Sequence, residues 1–167
     1  MAEKSAAMRV IEANGSSKGA RFALVVSKYH DFVTDRLQAG AVARIEASGG
    51  TTADITVVRV PGAFEIPSVA RQVAETGLYD AVICLGCLIR GATPHFEIIA
   101  NAVACGLIQA AGETGVPMAF GVLTTNSVEE ALERAVDGPS NKGWEAAAAA
   151  IEMADLAAQI ARRATAP

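Results

Sequence analysis

Apolar residues in this chain gather into four short, nearly unbroken runs, and the segments between them carry apolar residues at wider, helix-like intervals. The runs are Arg21–Ser27 (RFALVVS), Ile55–Val60 (ITVVRV), Asp80–Leu85 (DAVICL) and Pro117–Leu123 (PMAFGVL). Their β-branched and apolar content, bounded by turn-forming residues such as Pro61-Gly62, predicts strands. From Asp31 onward, Phe32, Leu37, Ala41 and Ile45 fall near helical spacing, and Ser48-Gly49-Gly50 stops that helix. Further helices are predicted over Pro67–Thr76, ending at Gly77, and over the alanine-rich Phe96–Glu113, ending around Gly115. Val128–Val136 and Trp144–Arg162 are the last two, separated by the breaker Asp137–Asn141 (DGPSN). Gly86–Pro94 reads as the loop after the third strand. Met1–Gly19 is polar and weakly patterned, so it reads as a flexible N-terminal arm ahead of a single domain over 20–167.

Strand then helix, repeated about four times, is the pattern of a parallel sheet covered by helices. The strands are continuously apolar rather than alternating, which calls for burial on both faces. The expected fold is therefore α/β, a three-layer sandwich with a central parallel sheet of about four strands (flavodoxin-like) and helices on both faces. Ligands in such sheets bind beyond the carboxyl ends of the strands. That rule points to Lys28–Asp31, Pro61–Glu65, Gly86–His95 and Leu123–Ser127.

Composition narrows the function classes. With 167 residues, 51% of them hydrophobic and 19% charged, the chain can bury a sizeable core without staples. Its longest apolar run, Ala81–Ile89 with Gly86 inside it, is about half the ~20 residues of a spanning helix, so no membrane partner is expected. Lys+Arg 14 against Asp+Glu 18 gives a net charge of -4 with no basic run, which argues against nucleic acid as a partner. A small anion needs only one or two placed cations and stays open. The N-terminal stretch has no apolar signal segment, and three cysteines suit a reducing interior, so a cytoplasmic location is expected.

Four places hold residues suited to chemistry. Cys84-Leu85-Gly86-Cys87 is formally a C-x-x-C, but an offset of three along a strand puts the two thiols on opposite faces, and nothing completes a metal site. Small apolar filler is the better reading, and no metal is expected. Gly91, Ala92 and Thr93 offer backbone N–H groups and a hydroxyl just before a helix that starts near His95, a fair anion cradle. His95 is either a helix-end histidine or an acid/base group, because an imidazole titrates near ~6.5. In Pro61–Glu65, glycine permits close backbone approach and Glu65 can accept hydrogen bonds from hydroxyls; a turn with a carboxylate at a helix start fits equally. Tyr29 and Phe120 are either core or stacking surfaces for a flat heterocycle. Arg134 and Lys142, across the DGPSN breaker, are either solvated helix ends or a phosphate clamp.

Together these segments resemble the lumazine synthase family. The likeness is carried by VPGAFEIP (Val60–Pro67), LGCLIRGATPHFE (Leu85–Glu97), TGVPMAFGVLTT (Thr114–Thr125), ALERA (Ala131–Ala135) and NKG (Asn141–Gly143), in order and spacing over roughly Arg21 to Leu156. The resemblance implies condensation of 5-amino-6-(ribitylamino)uracil with 3,4-dihydroxy-2-butanone 4-phosphate to 6,7-dimethyl-8-ribityllumazine, phosphate and water, without a cofactor. It implies His95 as the proton donor and acceptor. Tyr29 takes the place of the aromatic that stacks on the pyrimidine, where the family usually has Phe or Trp. Ala63, Phe64 and Glu65 are implied to bind the uracil substrate, with Cys87, Leu88 and Ile89 holding its ring by backbone contacts. Ala92, Thr93 and Arg134 match the butanone-phosphate site, and Phe120, Arg134 and Lys142 are implied to come from a neighbouring subunit.

Family members form pentamers, so a homo-oligomer of at least a pentamer is implied. An icosahedral 60-mer shell and association with riboflavin synthase are further options. The Arg134–Lys142 spacing matches shell-forming members, whereas Asp137-Gly138-Pro139-Ser140 departs from their usual loop. The rival readings are a non-catalytic flavin or lumazine binder and a shell-forming scaffold. The first can dispense with His95 and Arg134, the second with the GATPH loop, and this chain has all of them.

Overall fold

The computed structural model describes residues 8–164. Of the expected arm, residues 1–7 lie outside the described residues, as do 165–167. Four strands, β1 (Phe22–Ser27), β2 (Ile55–Val60), β3 (Ala81–Ile89) and β4 (Met118–Thr125), form one sheet in the order β2-β1-β3-β4, with every pairing parallel. Five helices connect and cover them: α1 (Asp31–Ala47), α2 (Ile66–Glu75), α3 (His95–Thr114), α4 (Val128–Glu133) and α5 (Lys142–Ala164). Single 3-10 turns at Thr52–Asp54 and Ala63–Glu65 lead into β2 and α2.

The layers follow from the strand patterning. Phe22, Leu24, Val26, Ile83, Leu85 and Cys87 pack on one face against α1, α4 and α5. Val25, Val82, Cys84 and Val122 pack on the other against α2 and α3. The central strands β1 and β3 are buried on both faces apart from the end of β3, so they carry no polar alternation, whereas the edge strands β2 and β4 are partly exposed. The three-layer α/β sandwich expected from the sequence is the one observed.

Cys84 and Cys87 sit in opposite cores as free thiols, as their offset of three demands. Burial pushes Cys84 up to about 12 and Cys87 up to about 11, because a thiolate there has no water to solvate it.

The expected boundaries shift in one place that matters. The third strand continues through Gly86 to Ile89 instead of yielding to a loop at Gly86, because Gly86–Ile89 pair with Val122–Thr125 of β4. Gly86 is a packing residue: a β carbon there would meet Ile66 Cδ1 at 3.1 Å. β1 stops earlier, its last pairing with β3 being Val26 with Leu85. The final four residues of β3 therefore run past the end of β1 with one edge uncovered.

α1 and α5 cross at unusually short range. A β carbon on Gly143 would lie 1.9 Å from the Leu37 carbonyl oxygen, and one on Gly40 would lie 2.3 Å from Asn141 Oδ1. Asn141 is buried and satisfies both helices. Its Nδ2 donates to the Arg36 carbonyl at 3.1 Å, and its Oδ1 accepts from the Gly143 N–H at 2.7 Å and the Trp144 N–H at 3.3 Å. The alanines that follow let α5 lie close on the sheet, where Ala146 Cβ would be 3.1 Å from a β carbon on Gly121. Upstream, buried Ser17 joins the chain's entry to the body, its hydroxyl donating to the Ile45 carbonyl at 2.7 Å and accepting from the Gly50 N–H at 2.8 Å.

Gly143→Ala is expected to destabilise the protein by about 3 kcal/mol or more, since the added methyl has backbone in its way and the helices must part. Gly112→Ala, on α3 with nothing within 4 Å of the new β carbon, should be neutral or stabilising by up to ~1 kcal/mol. Thermal unfolding at matched chain concentration compares the two. In the native protein Cys84 and Cys87 should stay silent to a disulfide reagent at pH 8, and all three cysteines should react after denaturation.

Candidate active site

The order β2-β1-β3-β4 reverses direction between β1 and β3, and ligands favour the carboxyl ends of strands at such a switch point. A cleft of about 810 Å³ lies there. Tyr29 and His30 reach it from the corner after β1, and Gly62, Ala63, Phe64 and Glu65 from the turn after β2. Cys87, Leu88 and Ile89 reach it from the overhanging end of β3. Gly91, Thr93 and His95 reach it from the loop into α3.

Each contribution has a local cause. β1 ends against β3 because Thr34 Oγ1 donates to the Ser27 carbonyl at 2.7 Å, while the Lys28 N–H still donates to the Val60 carbonyl of β2 at 2.8 Å. That corner projects Tyr29, which is 66% exposed, and Phe64 is 60% exposed across the same cleft. Neither ring belongs to the core, so of the two readings left open for Tyr29 the core one is removed. Ala63 is buried among α2 and α3 residues, so it presents main chain rather than its methyl. Cys87 and Leu88 likewise send side chains to opposite cores, leaving the uncovered edge of β3 as the polar offering of Cys87.

The loop Gly91–Pro94 is held by Arg90. Its Nε donates to Asn126 Oδ1 at 3.0 Å, its Nη1 pairs with Glu97, and its guanidinium lies 4.6 Å over the Phe96 ring. Glu97, two residues on from His95, is Arg90's partner. Its own backbone N–H in the first turn of α3, together with Arg90, holds it below the usual carboxylate range. His95 is the first residue of α3 and exposed, with its imidazole at the cleft. Ala92 is exposed in the same loop and is not among the residues lining the cleft.

Phe120, Arg134 and Lys142 lie elsewhere. They line a second concavity of about 380 Å³ against the edge strand β4, together with Glu145 and the first turns of α5. The two cations are brought together because the Lys142 N–H donates to the Arg134 carbonyl at 2.9 Å, closing the DGPSN segment. Lys142 Nζ pairs with Glu145 at 2.8 Å, and Arg134 Nη1 donates to the Glu130 carbonyl at 2.9 Å. Phe120 is 49% exposed on this rim, so it too is not core.

Among the described residues, then, the first cleft holds two histidines and one carboxylate but neither lysine nor arginine, and the second gathers both cations. The sequence reading missed His30. The signal was present, since His30 is one of only two histidines and falls within the segment the strand-end rule points to. No three His, Cys, Asp or Glu side chains among the described residues are grouped to hold a metal ion, and no helix among them is long and apolar enough to cross a membrane.

Comparison with known proteins finds sequence likeness over nearly the whole chain. Residues 19–158 match the family model for 6,7-dimethyl-8-ribityllumazine synthase. A protein of Chlorobium luteolum with that name is 52% identical over 149 residues, covering 89% of this chain and 96% of the relative. A Desulfotalea psychrophila protein of the same name is 51% identical over 146 residues, covering 87% and 94%. One from Syntrophus aciditrophicus is 51% identical over 151 residues, covering 90% and 98%. With the motifs, the fold and the cleft already in agreement, the chain belongs to the 6,7-dimethyl-8-ribityllumazine synthase family.

Proposed function

We propose that the protein condenses 5-amino-6-(ribitylamino)uracil with 3,4-dihydroxy-2-butanone 4-phosphate to give 6,7-dimethyl-8-ribityllumazine, phosphate and water, and that each catalytic site is shared by two chains. The observation that carries this reading is the division of residues between the concavities. A stacking ring, an open strand edge and His95 meet in a cleft whose lining has no lysine or arginine, while Arg134 and Lys142 sit beside β4. A doubly charged phosphate needs cations, so a neighbour's β4 rim has to complete the cleft.

In this reading the uracil lies against Tyr29. The N–H and C=O groups of Cys87 and Ile89, which face the side β1 leaves uncovered while those of Leu88 pair with β4, meet the edge of its ring, as a neighbouring strand otherwise would. Glu65, folded so that its Oε2 is 3.1 Å from where a Gly62 β carbon would be, accepts from the ribityl hydroxyls. The phosphate sits at the N-terminus of α3, among the N–H groups of Ala92 and Thr93, the Thr93 hydroxyl and the neighbour's Arg134 and Lys142. The 5-amino group attacks the butanone carbonyl, and His95 returns the proton needed for water to leave as the imine forms. The same imidazole then takes the proton whose loss expels phosphate; the resulting enol becomes a ketone, and the ribitylamino nitrogen closes the ring on that carbonyl with loss of a second water. Each step moves a proton at one place, which is why a single imidazole at the cleft mouth suffices. Holding two substrates in register supplies much of the remaining acceleration.

Shared sites make assembly part of function, and the family likeness supports at least a pentamer, with a shell as the larger alternative. Three free thiols, two of them deeply buried, support a reducing compartment such as the cytoplasm. Riboflavin synthase, which would consume the product, is the partner this reading implies.

A protein-dependent rise in lumazine absorbance that saturates in both substrates is the expected result, and a rate equal to the enzyme-free blank from folded protein overturns the reading. His95→Ala should lower kcat by roughly 100-fold while sparing uracil affinity. Arg134→Ala should raise KM for the butanone phosphate by roughly tenfold or more and leave that for the uracil nearly unchanged. Co-assembling these two inactive or weakened chains tests the shared site. Mixed oligomers should regain part of the wild-type rate, because some sites then pair an intact cleft with an intact neighbour; no recovery means the two residues serve one chain.

A further inference from the structure

His30 is the one non-glycine residue with a positive φ among the described residues, at φ 58 and ψ 48. Its backbone starts α1, with its carbonyl accepting from the Val33 N–H at 2.9 Å and the Thr34 N–H at 3.1 Å. Helix starts usually carry a side chain that caps the first turn, and the imidazole of His30 does not do so. It is placed between two rings instead. Its centroid is 4.4 Å from that of Tyr29, with the planes at 64°, and 5.7 Å from that of Phe32, with the planes at 84°.

The left-handed conformation restricts what this position can hold. Glycine adopts it freely, and Asn, Asp and His are the residues with side chains that enter it most readily. Among these, only His brings an aromatic ring. The neighbouring Tyr29 has its backbone fixed, its N–H donating to Ser27 Oγ at 3.2 Å, but its side chain is largely in solvent. A phenol projecting from a corner with solvent around it is free to change rotamer, and a stacking surface that moves loses affinity to the entropy of fixing it.

We propose that His30 is a positioning residue for the uracil substrate, acting through Tyr29: its ring, set edge-on by a left-handed backbone and backed by Phe32, holds the phenol over the cleft in the orientation that stacks. The proposal rests on the reading of the cleft as the pyrimidine site. Burial keeps the imidazole below the usual histidine range, so at neutral pH the contact is between two uncharged rings. Edge-to-face pairs of this kind contribute modestly but specifically to holding a ring in place.

The test is binding of 6,7-dimethyl-8-ribityllumazine to the assembled protein, followed by fluorescence, with His30→Asn as the main variant. Asparagine keeps the left-handed backbone and removes the ring, so the thermal midpoint should hold; should it fall, His30→Gly, which also accepts this φ, takes its place. The expected result is a Kd raised roughly two- to tenfold. KM for the uracil should rise by a similar factor, with kcat and KM for the butanone phosphate unchanged. In a Tyr29→Ala background the same substitution should have no further effect, the coupling that distinguishes acting through Tyr29 from touching the ligand. Wild-type affinity in His30→Asn overturns the proposal, as does an undiminished effect in the Tyr29→Ala background. Wild-type protein that binds no lumazine overturns the reading of the cleft, and this proposal with it.

Discussion

Where α5 begins, two main chains touch with no side chain between them, the Gly143 backbone against the carbonyl of Leu37. That contact fixes α1 and α5 as a unit on one face of the sheet, and Asn141 stitches it by bonding to both helices. Interiors packed at crystal-like density transmit displacement rather than absorb it. The start of α1 carries the Tyr29–His30 corner, and the start of α5 carries Lys142. Both concavities are thus referenced to one junction, though neither includes it. The NKG motif reads accordingly as a stitch, a cation and a clearance, in that order.

The separation of charge between the two concavities follows from topology. The carboxyl ends of β1 and β3 open at the switch point, whereas β4 is an edge strand with α5 alongside, so the rim bearing Arg134 and Lys142 shares no lining residue with the chain's own cleft. A stacking pocket without lysine or arginine and a cationic rim are of limited use apart. Joined across an interface, as proposed above, they would make a site in which a heterocycle and a phosphate are each held by the surface suited to it.

Much of this was legible in the sequence. Continuous apolar runs marked the parallel sheet because its central strands are buried on both faces, and the offset between Cys84 and Cys87 placed them in opposite cores. The strand-end rule pointed to Lys28–Asp31, Pro61–Glu65 and Gly86–His95, which build the cleft, and also to Leu123–Ser127, of which no residue lines it. What escaped was set by tertiary contact. Gly86 looks like a strand terminator, yet β3 passes through it because β4 pairs alongside and Ile66 fills the space a side chain would take. Glu97 looks like a partner for His95, but Arg90 is nearer and charged. His30 carries no local sign of a left-handed backbone, since its conformation is imposed by the early end of β1 and the start of α1. Asn141 and Gly143 were recognisable as a motif, while the reason for them lies in α1, about a hundred residues away.

The overhang of β3 has a consequence for how the protein can change. Gly86–Ile89 extend beyond β1 and leave one strand edge uncovered at the cleft. The donors and acceptors along that edge belong to the main chain, and any residue but proline supplies the same pattern. Substitutions at Cys87, Leu88 or Ile89 can reshape the walls and retune affinity, but they leave the pattern of donors and acceptors intact. What the edge reads is thereby inherited with the fold, written in the difference in length between two neighbouring strands. A new ring chemistry would require changing where a strand stops, a far rarer event than changing a side chain.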